Sequence, residues 1–318
     1  MLAYSAAMAG PLPLPLRLVV PLIRCMPIAR YRAASTLCRA LPPRFVTRLP
    51  RKFGGLTFVC ESAEMVSRMA FAGCWEPTQT LLVTALLQPG MTFVDLGAQW
   101  GYFTLVGAAR VGPYGSVLSL EPHARLFGLL RDNIERNRLR QVTPLPVAAG
   151  AATSYQELVP YDEDSGNFGS SWVRPGPISP TALQAQVGDR IVEVRTLDDL
   201  AREHEMDTID LVKMDIEGAE GVAVRGMRYL LSQARVRRLL IEVHVDLLER
   251  AGSTLQAMYD DLWAAGYRGL SVQEDLPTVR AIAYGRRRHT RGLLRPLDPR
   301  ARLTGIAHQL WLAPGASA

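Results

Sequence analysis

The segment 92–104, TFVDLGAQWGYFT, constrains the fold more than any other part of the chain. Its first residues are β-branched, aromatic and apolar, which favours a buried strand that ends at Asp95. Gly97 and Gly101 then bracket a turn into an apolar helix, and glycine suits such a turn because it tolerates unusual torsion angles and close ligand approach. The G-x-x-x-G spacing matches neither the dinucleotide fingerprint nor the P-loop. The segment therefore predicts a strand, a turn and a helix that bind a small-molecule cofactor. The spacing indicates that this cofactor is neither a dinucleotide nor a nucleotide held by a P-loop.

A second short strand is predicted at 116–121, SVLSLE, and it ends in Glu121. This residue follows the glycines by about twenty positions, where a pair of ribose hydroxyls needs a carboxylate acceptor. The plainer interpretation is a solvated strand end. We favour ribose binding, because the glycine turn precedes Glu121 at the expected distance.

Two more predicted strands carry acidic residues near their ends. The segment 210–220, DLVKMDIEGAE, places Asp215, Glu217 and Glu220 around a glycine, and 238–244, RLLIEVH, carries Glu242 and ends in His244. Since the carboxyl ends of parallel strands meet at one edge of a sheet, these residues should converge on one crevice.

These motifs resemble those of the FkbM-type S-adenosylmethionine-dependent methyltransferases. VDLGAQWGYFT resembles the glycine-rich cofactor loop of that family, LSLEP its ribose-binding strand, VKMDIEGAE its most characteristic motif and IEVH the strand that follows. Weaker similarities are AGCWEP, VRTLDDL and HQLWLAP, so the resemblance extends over about residues 53–314. One departure is Gln99, where the family usually has Asn, followed here by the bulky Trp100.

The resemblance implies an α/β fold of the class I methyltransferase type, which is Rossmann-like. We expect a seven-stranded, mostly parallel sheet with helices on both faces over residues 53–318, after a basic, proline-interrupted extension at 1–52. It also implies S-adenosyl-L-methionine as the cofactor. The residues expected to bind it are Asp95, Gly97, Ala98, Gln99, Gly101, Tyr102, Glu121, Pro122, Ala148 and Asp215.

Methyl transfer to a hydroxyl requires that the acceptor oxygen be held in line and lose its proton as the bond forms. His244 is the first candidate for the base, because a neutral imidazole is available near pH 7. Asp215 is the second, alone or with His244, and Glu242 completes the candidate catalytic set. A structural explanation also exists, since Asp215 and Glu217 precede a helix that carboxylates could cap.

The trio Asp215, Glu242 and His244 permits another hypothesis, in which it holds Mg²⁺ that lowers the pKa of the acceptor hydroxyl. One histidine and scattered carboxylates are not a diagnostic spacing, so we expect a site without a metal and keep Mg²⁺ as the alternative. The remaining histidines have no comparable acidic neighbours in the sequence, and we expect surface or structural roles for His123, His204, His289 and His308.

The net charge of +6 is unevenly distributed. Residues 1–55 hold nine Arg or Lys and no acid, whereas the body between residues 56 and 279 carries 19 basic and 29 acidic residues. We therefore expect no nucleic-acid partner for this body, and a small-molecule or a glycan- or lipid-linked acceptor instead. Four cysteines without disulfide or metal spacing favour a cytoplasmic protein. The basic ends could be solvated, or could contact the inner face of a membrane.

A long stretch rich in Gly, Ser and Pro, 162–190, predicts a lid or insert loop on the acceptor side. From the sequence we thus expect an O-methyltransferase that acts on a hydroxyl of a sugar, glycolipid or natural product. Two alternatives stay open. One is a non-catalytic, cofactor-binding relative, suggested by Gln99 and Trp100, and the other is an RNA methyltransferase, suggested by the pI near 9.3.

Overall fold

In the computed structural model, the described residues are 10–12, 14–26, 30–159, 171–176, 178, 190–298 and 303–318. Their strands are β1 (Gly10–Pro11), β2 (Arg44–Arg48), β3 (Thr57–Glu61), β4 (Thr92–Leu96), β5 (Ser116–Leu120), β6 (Val142–Leu145), β7 (Val147–Ala149), β8 (Ser154–Val159), β9 (Trp172–Arg174), β10 (Ile191–Arg195), β11 (Leu211–Met214), β12 (Arg238–His244), β13 (Arg268–Val272), β14 (Leu294–Pro296) and β15 (Ile306–Leu312).

The α-helices of the described residues are α1 (Leu14–Cys25), α2 (Arg30–Cys38), α3 (Met65–Ala72), α4 (Pro77–Leu86), α5 (Tyr102–Val111), α6 (Ala124–Arg136), α7 (Leu197–Glu203), α8 (Glu220–Arg225), α9 (Arg228–Ser232), α10 (Leu255–Ala264) and α11 (Leu276–Ala283). None of them combines the length and the apolar composition needed to cross a bilayer.

The largest sheet has the strand order β14-β13-β15-β12-β11-β4-β5-β6. Strand β15 runs antiparallel to both its neighbours and β14 runs antiparallel to β13, whereas the contacts from β12 through β6 are parallel. The chain passes from β4 outward to β5 and β6, and then returns to β11 on the other side of β4. Such a reversal opens a crevice at the carboxyl ends of the strands, where ligands bind in α/β sheets.

Both faces of this sheet are covered, which explains why its central strands are apolar along their whole length. In β4, Phe93 packs into one buried cluster with helices α4–α6, whereas Val94 and Leu96 pack into another with α7–α10. The expected seven-stranded, mostly parallel sheet with helices on both faces is therefore confirmed, and β14 adds an eighth strand at one edge.

The segment 142–149 forms two strands in the structure, β6 and β7. Pro146 separates β6 from β7, and its ring removes the backbone donor that a continuous strand would need. Strand β7 then joins a second sheet of order β7-β10-β8-β9. Most of the predicted lid, 162–190, lies outside the described residues. Its described part includes β9, which pairs with β8.

The predicted extension at 1–52 contains helices α1 and α2 and strands β1 and β2, and the three strands β1, β2 and β3 form a third sheet. Its buried side chains, among them Val20, Ile23 and Phe45, belong to the same apolar cluster as Leu82 and Phe93. This segment therefore packs on the α4–α6 face of the large sheet.

Candidate active site

The glycine loop after β4 lies directly against the end of β11. Gly97 has φ of +81°, and a Cβ added to it would lie 1.8 Å from the backbone oxygen of Asp215. The N–H of Asp215 donates to Leu96, and the N–H of Ala98 donates to Leu120 on the other side. No side chain fits at Gly97, so the glycine lets the ends of three strands meet.

Gln99 and Trp100 occupy different environments. Gln99 has φ of +49°, a left-handed conformation that Asn adopts more readily than Gln, and it lines the crevice. Trp100 is buried in the apolar cluster, and its carbonyl accepts a hydrogen bond from Asn133 Nδ2 at 2.8 Å. The bulk of Trp100 is therefore accommodated in the protein core.

Glu121 lies at the end of β5 and is almost fully buried. Its Oε2 accepts a hydrogen bond from the N–H of Gln99 at 2.8 Å, and its Oε1 accepts one from the N–H of His123 at 2.8 Å. Burial raises the pKa of Glu121 to about 7, although both hydrogen bonds oppose that shift. Each carboxylate oxygen has a further lone pair with which it could accept a ligand hydroxyl.

A first pocket forms over these strand ends. Six of the ten residues predicted to bind cofactor line it: Gly97, Gln99, Glu121, Pro122, Ala148 and Asp215. The other four, Asp95, Ala98, Gly101 and Tyr102, do not line it. Asp95 is fully buried and accepts a hydrogen bond from Thr104 Oγ1 at 2.7 Å, while the hydroxyl of Tyr102 lies 3.3 Å from that of Thr80. The side chains of Asp95 and Tyr102 therefore support the glycine loop from the protein interior.

A second pocket adjoins the first, and three residues, Gln99, Asp215 and Glu217, line both. The second pocket also contains the aromatic ring of Trp75 and the apolar side chains of Leu247 and Ile306. Five carboxylates line it, from Glu76, Asp215, Glu217, Glu242 and Asp246. The arrangement can hold two ligands side by side, with acidic groups around the second.

Asp215 forms an ion pair that the sequence analysis did not predict. The Nζ atom of Lys213 lies 3.0 Å from Asp215 Oδ2 and 4.5 Å from the centre of the Phe103 ring. Burial alone would raise the pKa of Asp215, but the positive charges of Lys213, His244 and His308 together outweigh burial and hold the pKa below its usual range. The available signal was a single lysine within an apolar strand, since a buried lysine needs a charged partner.

His244, at the end of β12, is surrounded by carboxylates. Its Nδ1 atom lies 3.0 Å from Glu220 Oε1, and its Nε2 atom lies 3.6 Å from Glu217 Oε2 and 3.7 Å from Glu242 Oε1. Burial would lower the pKa of His244, but the carboxylates, that of Glu220 first, raise it to about 9. In this geometry the carboxylates stabilise the protonated ring, which disfavours the neutral imidazole expected near pH 7.

Glu217 has the properties of a proton acceptor. It lines both pockets and has φ of +52°, an uncommon conformation for a residue with a side chain. Burial raises the pKa of Glu217 to about 7, with His244 opposing that shift and the neighbouring carboxylates of Asp215, Glu242 and Glu220 adding to it. This value matches the task of a general base near neutral pH.

His308 is nearly buried and contacts Glu242 at the edge of the second pocket, although it lines neither pocket itself, so a structural role remains its expected one. Strand β15 pairs with β12 so that His308 is directly opposite Glu242, and Nε2 of His308 lies 2.9 Å from Glu242 Oε2. Its Nδ1 contacts Glu274 Oε2. Burial would lower the pKa of His308, but the two carboxylates raise it to about 10. No local motif signals this contact, because the strands are far apart in the chain.

Among the described residues, two groups bring three potential metal ligands together. One is Asp215, Glu217 and His244, and the other is Glu76, Glu242 and His308, with one ligand atom of each residue within 4.8 Å of the others. The trio considered from the sequence, Asp215, Glu242 and His244, is thus divided between the two groups.

Comparisons with known proteins point to one family. The family model described as "Methyltransferase FkbM domain" matches residues 95–268. The protein-L-isoaspartate O-methyltransferase of Methanothrix thermoacetophila is 37% identical over 79 residues, which cover 25% of this chain and 37% of that protein. Methyltransferase 1 of Beauveria bassiana is 29% identical over 145 residues, which cover 42% of this chain and 57% of that protein. Each match therefore spans less than two thirds of the relative.

Among solved structures, fibrillarin of Aeropyrum pernix in complex with natively bound S-adenosyl-L-methionine is 13% identical to this chain. The TM-score is 0.38, and the match covers 85% of this chain and 94% of that chain.

Proposed function

The chain belongs to the methyltransferase FkbM domain family, and on that premise we propose that it is an S-adenosyl-L-methionine-dependent O-methyltransferase. Its acceptor would be a hydroxyl of a sugar, glycolipid or natural product. The observation that carries the proposal is that Gln99, Asp215 and Glu217 line both pockets. A cofactor in the first pocket and an acceptor in the second would meet at these residues, as group transfer requires.

The residues of the first pocket fit this cofactor. Glu121 can accept hydrogen bonds from ribose hydroxyls, and Leu126 and Val147 offer an apolar surface to an adenine ring. Gly97 and Asp215 meet in the wall of this pocket, where a Cβ on Gly97 would collide with the backbone oxygen of Asp215. When bound, S-adenosyl-L-methionine supplies a methyl group carried on a positively charged sulfur. The carboxylate of Asp215 lines the pocket and stays ionised, and Lys213 pairs with it and offsets its charge.

We assign removal of the acceptor proton to Glu217. In this scheme the acceptor oxygen gains the methyl group and loses its proton to the Glu217 carboxylate. His244 would position that carboxylate from 3.6 Å, since its own raised pKa makes it a weak base at neutral pH. Asp215 would remain an anion paired with Lys213, and Glu242 would accept a hydrogen bond from the acceptor. A positioned base of matched pKa accelerates such a step by about 10²–10⁴-fold.

The chemistry of the second pocket favours an uncharged acceptor rich in hydroxyl groups. Carboxylates accept hydrogen bonds from hydroxyls, and Trp75 offers an aromatic surface for a sugar or another ring. None of the described residues that line this pocket is an arginine or a lysine, the side chains that usually bind phosphate. The lining therefore suits a neutral hydroxyl compound better than RNA.

The proposal is tested in two steps. Calorimetric titration of the purified chain with S-adenosylhomocysteine should show micromolar binding, and labelled S-adenosyl-L-methionine should then transfer its methyl group to hydroxyl compounds in a panel of sugars, glycolipids and natural products. A folded chain that does not bind S-adenosylhomocysteine contradicts the cofactor assignment. Transfer of label to RNA, with none to the hydroxyl panel, contradicts the acceptor class.

A further inference from the structure

A group of metal-type ligands lies at the edge of the second pocket, apart from His244. It consists of Glu76, Glu242 and His308, each of which offers one ligand atom within 4.8 Å of the others. Two ligands in adjacent positions of an octahedral ion, each at about 2.1 Å from it, are about 3.0 Å apart. The 2.9 Å between His308 Nε2 and Glu242 Oε2 matches that separation.

Several polar atoms of this group are buried without a hydrogen bond. Among the described residues, Glu76 Oε2 is buried and has no hydrogen-bond partner. Glu242 Oε2 and His308 Nε2 are also buried, and they form an ion pair with each other that lacks the direction of a hydrogen bond. The His308 side chain is only 10% exposed. Buried polar atoms normally have hydrogen-bond partners, so the group has room for one more ligand that would satisfy these atoms.

Rigid elements hold the three side chains. Glu76 immediately precedes α4, and Glu242 and His308 are directly opposite each other in the β12 and β15 ladder. Two more residues hold the His308 imidazole through its other nitrogen. Glu274 contacts His308 Nδ1, and Gln79 Nε2 donates a hydrogen bond to Glu274 Oε1 at 2.9 Å. A carboxylate on the second ring nitrogen is the usual way in which a protein orients a metal-binding histidine.

We propose that Glu76, Glu242 and His308 bind one divalent first-row transition-metal ion of the Mn²⁺ type. One imidazole nitrogen and two carboxylate oxygens suit such an ion better than Mg²⁺ or Ca²⁺, which prefer oxygen ligands alone. Glu76 and Glu242 also line the second pocket, so the ion would lie beside the acceptor. Its use in binding an acceptor hydroxyl rests on the proposed function, whereas the binding of the ion does not.

Mn²⁺ alone is the probe. Full-length protein stripped with a chelator is titrated with Mn²⁺, and free Mn²⁺ is followed by electron paramagnetic resonance. We expect one ion per chain, with His308→Gln and Glu76→Gln each weakening binding by at least about 10-fold. His204→Gln, the same change at an exposed histidine, should leave binding unchanged. His244→Gln changes the neighbouring group of ligands, and it should weaken binding less than His308→Gln and Glu76→Gln do, although His244 lies 3.7 Å from Glu242.

Three results would overturn the proposal: no binding by the natural chain, unchanged binding in both His308→Gln and Glu76→Gln, or a loss caused by His244→Gln but not by those two. Each variant is first checked by circular dichroism and by titration with S-adenosylhomocysteine. A chain that binds Mn²⁺ as expected but does not bind S-adenosylhomocysteine contradicts the proposed function and leaves the metal site intact.

Discussion

Lys213, in β11, and Asp215, directly after its end, form a buried ion pair, with 3.0 Å between Nζ and Oδ2. Both side chains are less than a tenth exposed. The lysine also lies over the Phe103 ring, and Asp215 forms part of the wall between the two pockets. The pair thus connects the core of the sheet to the site, and it keeps one carboxylate of the site ionised.

Removing the lysine should destabilise the chain strongly. In Lys213→Met the Asp215 carboxylate remains buried without its partner, and breaking a buried pair in this way costs about 3–5 kcal/mol. The free energy of unfolding from urea titration measures the loss. Arg202→Met is the matched control, because Arg202 is exposed and pairs with Asp199 at the surface. Equal effects of the two changes would contradict the structural role of Lys213.

Gly97→Ala should abolish cofactor binding, because its Cβ would collide with the Asp215 backbone at 1.8 Å and its φ of +81° is strained for alanine. Gly90→Ala separates the effect of the collision from the effect of the backbone strain. Gly90 has φ of +85° with no atom within 4 Å of the added Cβ, so it incurs only the backbone strain of about 1–2 kcal/mol. Titration with S-adenosylhomocysteine should show tight binding in Gly90→Ala and none in Gly97→Ala.

Binding of S-adenosylhomocysteine should weaken as the pH falls below about 7. The pKa of Glu121 is raised from 4.5 to about 7, so the carboxylate that accepts ribose hydroxyls is lost to protonation in that range. Glu121→Gln should bind more weakly at pH 8 and show a flatter pH dependence between about pH 6 and 8. If the affinity of the natural chain for S-adenosylhomocysteine is constant over this pH interval, Glu121 is not the residue that accepts the ribose hydroxyls.

The raised pKa of Glu121 also affects the stability of the folded chain. Because the folded pKa of Glu121 exceeds the ordinary value, the stability linked to this group is fully present below about pH 4.5 and is lost as the pH rises through about 7. Glu121→Gln loses one of the two hydrogen bonds that the carboxylate accepts from backbone N–H groups, at every pH. Its free energy of unfolding, relative to that of the natural chain, should nevertheless be more favourable at pH 8 than at pH 5. A relative free energy that changes in the opposite direction would refute the raised pKa.

Glu217→Gln should lower kcat by about 10²–10⁴-fold and change the dissociation constant for S-adenosylhomocysteine only a few-fold. In Glu217→Gln the limb of the pH-rate profile near pH 7 should also disappear, since that limb reports the raised pKa of Glu217. Glu249→Gln, at an exposed glutamate, is the control. Full turnover in Glu217→Gln would place the base elsewhere, with Asp215 as the next residue to test.

The local sequence determined the central part of the fold. Apolar runs such as 92–96 predicted strands buried on both faces, and glycine at 97 predicted the close turn, because both depend on neighbouring residues only. The position of Glu121 at the end of the next strand was likewise predicted from its spacing after the glycines. At Pro146, which has no backbone donor, the chain passes from the large sheet into the second sheet, so β6 and β7 belong to different sheets.

Only the tertiary structure decided the charge states and partners of the site. The protonation of His244 depends on carboxylates from two separate segments of the chain, and the place of His308 depends on the antiparallel pairing of β15 with β12. Spacing within a motif carries no information on such contacts, since electrostatic energy depends on distance and burial in three dimensions. The sequence determined which residues reach the edge of the sheet, and the fold determined which of them hold a proton.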